Sequence, residues 1–382
     1  MFVIPGLTRN PVFFNWIPAG VCPVLDRGGN GGNSPAARHF VRAFSFEIGK
    51  PKKDILLMSL SPEILQDKFR GAILGCFLGD AFGSGFEGMD PDRAMFHMSI
   101  LSKKFARKYT DDTDMTLALS ESIIQCGGID PEDMAKQFSL HCDLTRGYAI
   151  GTIKAVEALR VGSKWCEVAR IVFENGSFGN GAAMRVSPVG LFYHHDPVGL
   201  QEAAIKQASI THVHPLGQWG AVMQACSVGL AVIRNPKEPF KKEQMVVNLR
   251  EALWGGPIGY MKALNKIEEV LSQGKRLQAR EVAQFLGNGV EAHLSVPSAC
   301  YIAITYSPDF CDAIRSAISL GGDTDTIAGM VGAIVGAHVG EKGLPVEWIE
   351  QLEDGPRGRS FARGLSDRLF ETWWKIHQTS SG

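Results

Sequence analysis

The stretch GGDTDTIAGMVGAIVGAHVG, residues 321–340, limits the fold more than any other part of the chain. From Ile327 on it is apolar on every side at helical period, and rich in Gly and Ala. A helix with that pattern belongs inside a protein. Residues 327–339 fall short of the roughly 18 apolar residues that a membrane span needs, so the pattern reads as a buried helix. Its start is then buried too, and that start carries Asp323 and Asp325. Carboxylates out of water are costly unless paired. Residues 317–340 hold no Lys or Arg. A bound cation is the natural counter-charge.

A second acidic start lies in KYTDDTDMTLALSESI, where Thr110 and Thr113 flank Asp111, Asp112 and Asp114. Asp, Ser and Thr at a helix start have a plain role: they cap free N–H groups and complement the dipole. That role accounts for one acid here, not three. Another acid, Glu87, follows the Gly-rich turn in GDAFGSGFEGMD. If Glu87, Asp111, Asp112, Asp323 and Asp325 converge, two divalent cations would leave a single net negative charge. Oxygen ligands without His or Cys suit Mg²⁺, Mn²⁺ or Ca²⁺. Two ions about 3.5–4 Å apart could polarise a leaving group or a water. The spacing is not that of an EF-hand loop. Nor does DTDTI fit the Asp-x-Asp-x-Thr of aspartyl-phosphate phosphatases: Gly321 and Gly322 replace the preceding apolar strand, and Ile327 stands where Thr is required.

A third feature is FENGSFGNGAAMRVSPVG, with Gly176, Gly179 and Gly181 around Ser177, Phe178 and Asn180. Glycines let a backbone approach a ligand closely, and successive N–H groups can cradle phosphate. A plain turn between helices needs one glycine, not three, so this is read as a ligand loop. No Gly-Lys-Ser/Thr follows, so it is not a Walker A loop. Phe173, Phe178 and His212 (in SITHVHPLG) offer faces for an aromatic base, though ordinary packing explains each of them equally well. A similar loop, FLGNGVEAHLSVPSA, carries Gly287, Asn288 and Gly289 before a helix.

Residues 1–57 do not match the rest. They are rich in Pro, Gly and Asn, poor in acid, and lack a sustained period. They are expected to be a non-core, disordered leader, with translation starting at Met58. From Pro62 on, helix follows helix. Ser61 reads as the cap of the first, and residues 113–125, 148–161, 198–210, 217–233, 242–253, 257–273, 279–286, 296–306, 309–318, 326–339 and 364–376 give similar patterns. The expectation is all-α: residues 58–382 form a single compact domain of orthogonally packed helices, with function on the connecting loops. A net charge of -1 argues against nucleic acid or a membrane surface as partner. The eight cysteines are Cys22, Cys76, Cys126, Cys142, Cys166, Cys226, Cys300 and Cys311. Their spacing suggests neither zinc nor disulfides, and they read as reduced core residues of a cytoplasmic protein.

Taken in order, LGDAFGSGFE, YTDDTDMT, GSFGNGAAMR, THVHPLG, LGNGVEAHLSVPSA and GGDTDTIAGMVGAIVGA resemble the ADP-ribosylglycohydrolase family over roughly residues 66–376. The resemblance implies an all-helical fold with two Mg²⁺ ions, or Mn²⁺ as a substitute, in a cleft where ADP-ribose docks. It implies Glu87, Thr110, Asp111, Asp112, Asp323, Asp325 and Thr326 at the metals. It places Gly176, Ser177, Phe178, Gly179, Asn180 and His212 around the diphosphate, ribose and adenine, with Phe173 and Val290 nearby. The glycine loops look most like the branch that cleaves O-glycosidic links: serine-linked ADP-ribose, poly(ADP-ribose) and O-acetyl-ADP-ribose. Glu87 is then the first choice for acid/base and Asp323 the second. The expected substrate is an ADP-ribosylated protein or polymer, the expected state a monomer. Arginine-linked hydrolysis and a metal-dependent phosphohydrolase are the alternatives.

Overall fold

The computed structural model describes residues 60–101, 108–236 and 241–378, all within one compact unit. The leader expected over residues 1–57 lies outside the described residues. Among those described there are eighteen α-helices and no strand, so the chain is all-α. In order they are α1 (Pro62–Gly83), α2 (Pro91–Leu101), α3 (Asp111–Cys126), α4 (Pro131–His141), α5 (Ile150–Arg160), α6 (Trp165–Val168), α7 (Gly181–Met184), α8 (Ser187–Phe192) and α9 (Pro197–Ala208). Then come α10 (Pro215–Val232), α11 (Lys242–Ala252), α12 (Ile258–Ser272), α13 (Ala279–Phe285), α14 (Ala292–Tyr306), α15 (Phe310–Ile318), α16 (Thr324–Val339), α17 (Val346–Ile349) and α18 (Arg359–Gln378).

The apolar stretch becomes α16, buried from Thr324 to His338. It pairs antiparallel with α1 more extensively than any other two helices pair. The reason is in the sequence of α1: glycine recurs every fourth residue, at 71, 75, 79 and 83. That spacing lines one face of a helix with bare backbone. A Cβ on Gly71, Gly75, Gly79 or Gly83 would overlap Gly336, Gly332, Ala328 or Thr324 and Asp325 respectively. Backbone therefore lies on backbone from Gly71 to Gly83, and the C-terminal end of α1 meets the start of α16. Around this pair sit α10, buried along almost its whole length, and α14.

Lys68 of α1 is buried, yet its hydrogen bonds go to no carboxylate. Its Nζ donates to the carbonyls of His338 (2.6 Å), Ala337 (3.0 Å) and Ala231 (3.3 Å). It thus caps the C-termini of α16 and α10 together, where free carbonyls and the helix dipoles favour a cation. Burial pushes its pKa down to about 7. We expect Lys68→Met to lower stability by roughly 2–3 kcal/mol, because the buried carbonyls of Ala337 and His338 lose this donor. Thermal denaturation measures this, and an unchanged melting temperature would contradict it.

Three expectations need correction. Ser61 stands at the N-cap of α1, but its side chain makes no cap bond. The helix expected at residues 296–306 starts at Ala292 and absorbs Pro297 in its interior. Cys76, Cys142, Cys226 and Cys300 are core residues, but Cys126 is exposed and Cys166 and Cys311 are half-buried. Among the described residues no helix is long and apolar enough to cross a membrane.

Candidate metal and ligand site

Whether the acidic starts merely cap their helices is a question of hydrogen bonds. Asp130, Asp196 and Asp309 do act as caps, each accepting from backbone N–H groups of its own helix. Thr110 and Asp323, the N-cap residues of α3 and α16, do not. Instead α3 is capped by a residue of another helix. Asp80, in the last turn of α1, accepts from Thr110 N (3.0 Å to either oxygen) and Thr113 N (3.1 Å). It also accepts from Thr110 Oγ1 (2.8 Å) and Thr113 Oγ1 (2.5 Å). The α1–α16 contact thus delivers Asp80 to the start of α3 and holds both acidic starts at one place.

The carboxylates converge in two groups. One oxygen each from Asp80, Asp112 and Asp325 lie within 4.8 Å of one another, and so do oxygens of Glu87, Asp323 and Asp325. Asp325 belongs to both. Asp112 Oδ2 accepts from Thr326 Oγ1 (3.3 Å) and lies 3.2 Å from Thr110 Oγ1, whose hydrogen goes to the nearer Asp80. Asp112 Oδ1 is buried and has no protein partner. Asp111 is half-buried at the same helix start and feels Asp80, Asp323 and Glu87, but joins neither group. Asp114 turns elsewhere and accepts from Asp143 N (2.7 Å) and Tyr148 Oη (2.8 Å).

Burial is the leading cause that raises the pKa of every member, and for Asp111, Asp112, Asp325 and Glu87 repulsion from other members adds to it. Asp80 is pushed up to about 6, against the lowering effect of its threonine bonds, and Asp111 to about 7. Asp112 and Asp325 lie well above the usual carboxylate range. Asp323 is raised but restrained by its bond from Asn180, and Glu87 is raised by burial and then by Asp323. Among the described residues no Lys or Arg pairs with any of the six. Oxygen donors, one orphaned buried oxygen and no directly paired Lys or Arg fit hard divalent cations. Asp80 already accepts from four donor groups, so its role is to orient α3, while Asp112 keeps an oxygen free.

This predicts a pH dependence for the protein stripped of metal. Unfolded, these carboxyls titrate near 3.8, while in the folded chain Asp80 and Asp111 hold protons up to about 6 and 7. Between those limits the folded state binds more protons, so stability must fall as pH rises. A divalent cation binds the deprotonated native form alone and should raise the melting temperature more at about pH 7.5 than at about pH 5. Melting curves with EDTA and with Mg²⁺ at both pH values check this. An equal Mg²⁺ shift at both would contradict it.

Three loops fasten the groups to the glycine stretches. Gly88 N donates to Gly322 O (2.8 Å) and Gly322 N to Met89 O (2.8 Å), tying the loop of Glu87 to the start of α16. Gly321 and Gly322 have φ of 65° and 71°, a region that glycine enters without strain. Asp323 N donates to Asn288 O (2.8 Å), which brings in the second glycine loop. That loop pairs with the first: Asn180 N donates to Val290 O (2.8 Å) and Ala292 N to Phe178 O (3.0 Å). Asn180 Nδ2 donates to Asp323 Oδ2 (2.5 Å) and to Ser295 Oγ (3.1 Å).

Of the expected ligand residues, Asn180 touches Asp323 directly, and Phe178, Gly179 and Val290 lie in the paired loops beside it. Gly176 N donates to Phe173 O (2.8 Å), and Ser177 Oγ accepts from Gly179 N (3.1 Å). Phe173, Phe178 and Val290 are exposed, and Phe178 stands edge-on to His214 with centroids 5.6 Å apart. The Phe173 side chain is set apart, near Gly151 at the start of α5. His212 is buried, with its ring edge toward Gly179 and Gly181. Asp80 was missed by sequence reasoning. Its signal was the one charged residue in the apolar part of α1 after Arg70, one residue past a glycine of the four-residue repeat.

Fold and site define an all-α protein with an acidic cluster that could hold metal ions, tied to two glycine loops. A family model described as ADP-ribosylglycohydrolase matches residues 61–377, and the chain belongs to that family. Among its relatives is human "ADP-ribosylhydrolase ARH3", 35% identical over 345 residues, covering 80% of this chain and 94% of that protein. "ADP-ribosylarginine hydrolase Tri1" of Pseudomonas putida is 26% identical and covers 81% of each chain. A solved structure titled "ADP-ribosylglycohydrolase-related protein complex" aligns with a TM-score of 0.57 and 25% identity, over 81% of this chain and 99% of that one.

Proposed function

We propose that this protein hydrolyses the C1″ O-glycosidic bond of ADP-ribose adducts: serine-linked ADP-ribose, poly(ADP-ribose) and O-acetyl-ADP-ribose. The observation that carries the reading is Asn180. It lies in the glycine loop and binds Asp323 of the acidic cluster, so a ligand seated on the loop has its reactive end at the carboxylates. Family membership and the stronger likeness to an ADP-ribosylhydrolase than to an arginine-specific hydrolase support the substrate class.

Two Mg²⁺ ions, or Mn²⁺, would be held by Glu87, Thr110, Asp111, Asp112, Asp323, Asp325 and Thr326, and when bound they supply charge neutralisation and Lewis acidity at the ribose end. The chain's own residues do the rest. Gly176, Ser177, Phe178, Gly179 and Asn180 seat the diphosphate, and Phe178 and Val290 flank the adenine side. Breaking the C1″–O bond builds oxocarbenium-like charge at C1″, and the leaving oxygen needs a proton. Glu87, at the exposed rim of the cluster, takes a proton from the attacking water and delivers it to the leaving oxygen, so that the water's oxygen ends on C1″ and its hydrogen on the released acceptor. Asp323, oriented by Asn180, stabilises the developing positive charge. The protein works as a cytoplasmic monomer on ADP-ribosylated protein or polymer, without direct contact to nucleic acid.

The test is a comparison of acceptors. Serine-linked, arginine-linked and polymeric ADP-ribose are each incubated with the protein and Mg²⁺, and free ADP-ribose is measured. Release from the serine-linked and polymeric substrates is expected. Release from the arginine-linked substrate alone would overturn the O-glycosidic reading.

A further inference from the structure

Arg185 is fully buried directly after α7, and none of its hydrogen-bond partners is an acid. Its Nε donates to Gln207 Oε1 (2.9 Å), and its Nη2 to Gln207 O (3.0 Å) and Thr211 Oγ1 (2.9 Å). Thr211 Oγ1 lies in turn 2.7 Å from His212 Nδ1. We propose that Arg185 and Thr211 are positioning residues that fix His212 as the Nε2–H tautomer, so that it donates to a phosphate or ribose oxygen of the ligand. The ligand part rests on the function proposed above; the tautomer part rests on geometry alone.

A guanidinium has no acceptor, so on the Arg185–Thr211 contact the hydroxyl must accept. Its own hydrogen then needs an acceptor. Among the described residues Thr211 Oγ1 has two partners, Arg185 and His212. If His212 Nδ1 carried a proton and donated, the hydroxyl hydrogen would be left without an acceptor in a buried place, which is unfavourable. The hydroxyl therefore donates to Nδ1, and the ring proton sits on Nε2. Donation from a cation polarises the hydroxyl and strengthens its own bond. Burial, and then the charge of Arg185, push the pKa of His212 down to about 3, so the ring stays neutral.

Nε2 has no protein partner in the described structure, and it is not a sealed orphan either. It faces the glycine loop: it lies 3.6 Å from where a Cβ on Gly179 would stand and 3.3 Å from one on Gly181. The absent side chains leave room for a ligand oxygen at the ring edge. A neutral N–H donor suits a diphosphate or hydroxyl oxygen.

The experiment uses the full chain labelled with ¹⁵N-histidine, with His212 assigned among the ten histidines by loss of its signals in His212→Gln. Long-range ¹H–¹⁵N spectra should show a pyridine-like Nδ1 and a pyrrole-like Nε2. Thr211→Val, nearly isosteric, should shift His212 toward the other tautomer and weaken ADP-ribose binding in calorimetry roughly three- to tenfold, the loss of about one hydrogen bond. Thr211→Ser should restore both. A pyrrole-like Nδ1 in the wild type overturns the proposal, as does Thr211→Val with an unaltered His212 spectrum. Wild-type protein with the expected spectrum that binds no ADP-ribose overturns the ligand reading instead, so the two failures are read from separate signals.

Discussion

Glu87→Gln should abolish most turnover and leave ADP-ribose bound. The substitution keeps the shape of the side chain and much of its hydrogen bonding but cannot exchange a proton near neutral pH. Proton transfer by a positioned side chain is worth about 10²–10⁴-fold in rate, or roughly 3–5 kcal/mol of barrier. Glu87 is exposed at the rim of the cluster, and its oxygen lies within 4.8 Å of those of Asp323 and Asp325. It can therefore reach a water without leaving the acidic group. Calorimetric ADP-ribose affinity is measured beside single-turnover hydrolysis of a serine-linked peptide. Turnover near the wild-type rate would pass the acid/base role to Asp323. Loss of metal and ligand in proportion to the loss of rate would make Glu87 a ligand only.

Gly79→Ala should be as damaging to the fold as Glu87→Gln is to the rate. In an open helix position Gly→Ala gains up to about 1 kcal/mol of propensity. At Gly79 the new Cβ would overlap the Ala328 carbonyl, and backbone cannot rotate aside as a side chain does. Overpacking of a tight interior typically costs 1–3 kcal/mol, occasionally more, and here it must push α1 and α16 apart. Because that contact carries Asp80 to the start of α3, Mg²⁺ affinity should fall along with the melting temperature. Gly364→Ala is the control: Gly364 lies in α18 with nothing within 4 Å of its would-be Cβ, and it should be neutral or slightly stabilising. Equal melting temperatures for Gly79→Ala and Gly364→Ala would contradict the close-contact account.

Most of the fold was legible because most helices bury one face or all faces, and apolar residues then repeat at helical period. Helix α4 escaped notice for a physical reason. It has an Asp130 cap and Pro131 at its first turn, but only Met134, Ala135 and Phe138 go inward, too few to make a period stand out. Helix α2 carries Met95 and Phe96 on its exposed side, which blurs its pattern. At the site, Asp112, Asp323 and Asp325 could be read from charge placed beside apolar sequence that offers no cation. Asp80 could not, because its meaning depends on which helix the glycines of α1 lie against. The link from Arg185 through Thr211 to His212 was equally hidden. Arg185 follows the glycine loop and Thr211 lies between α9 and α10, and nothing in either stretch announces that they touch.

The most direct measurement is release of ADP-ribose from a serine-linked peptide by protein stripped with chelator and then resupplied with Mg²⁺. Six carboxylates with no Lys or Arg paired to them among the described residues, tied to the glycine loops, should give no release when stripped and full release once Mg²⁺ returns. Release at an unchanged rate in excess EDTA would contradict the two-metal reading of the cleft.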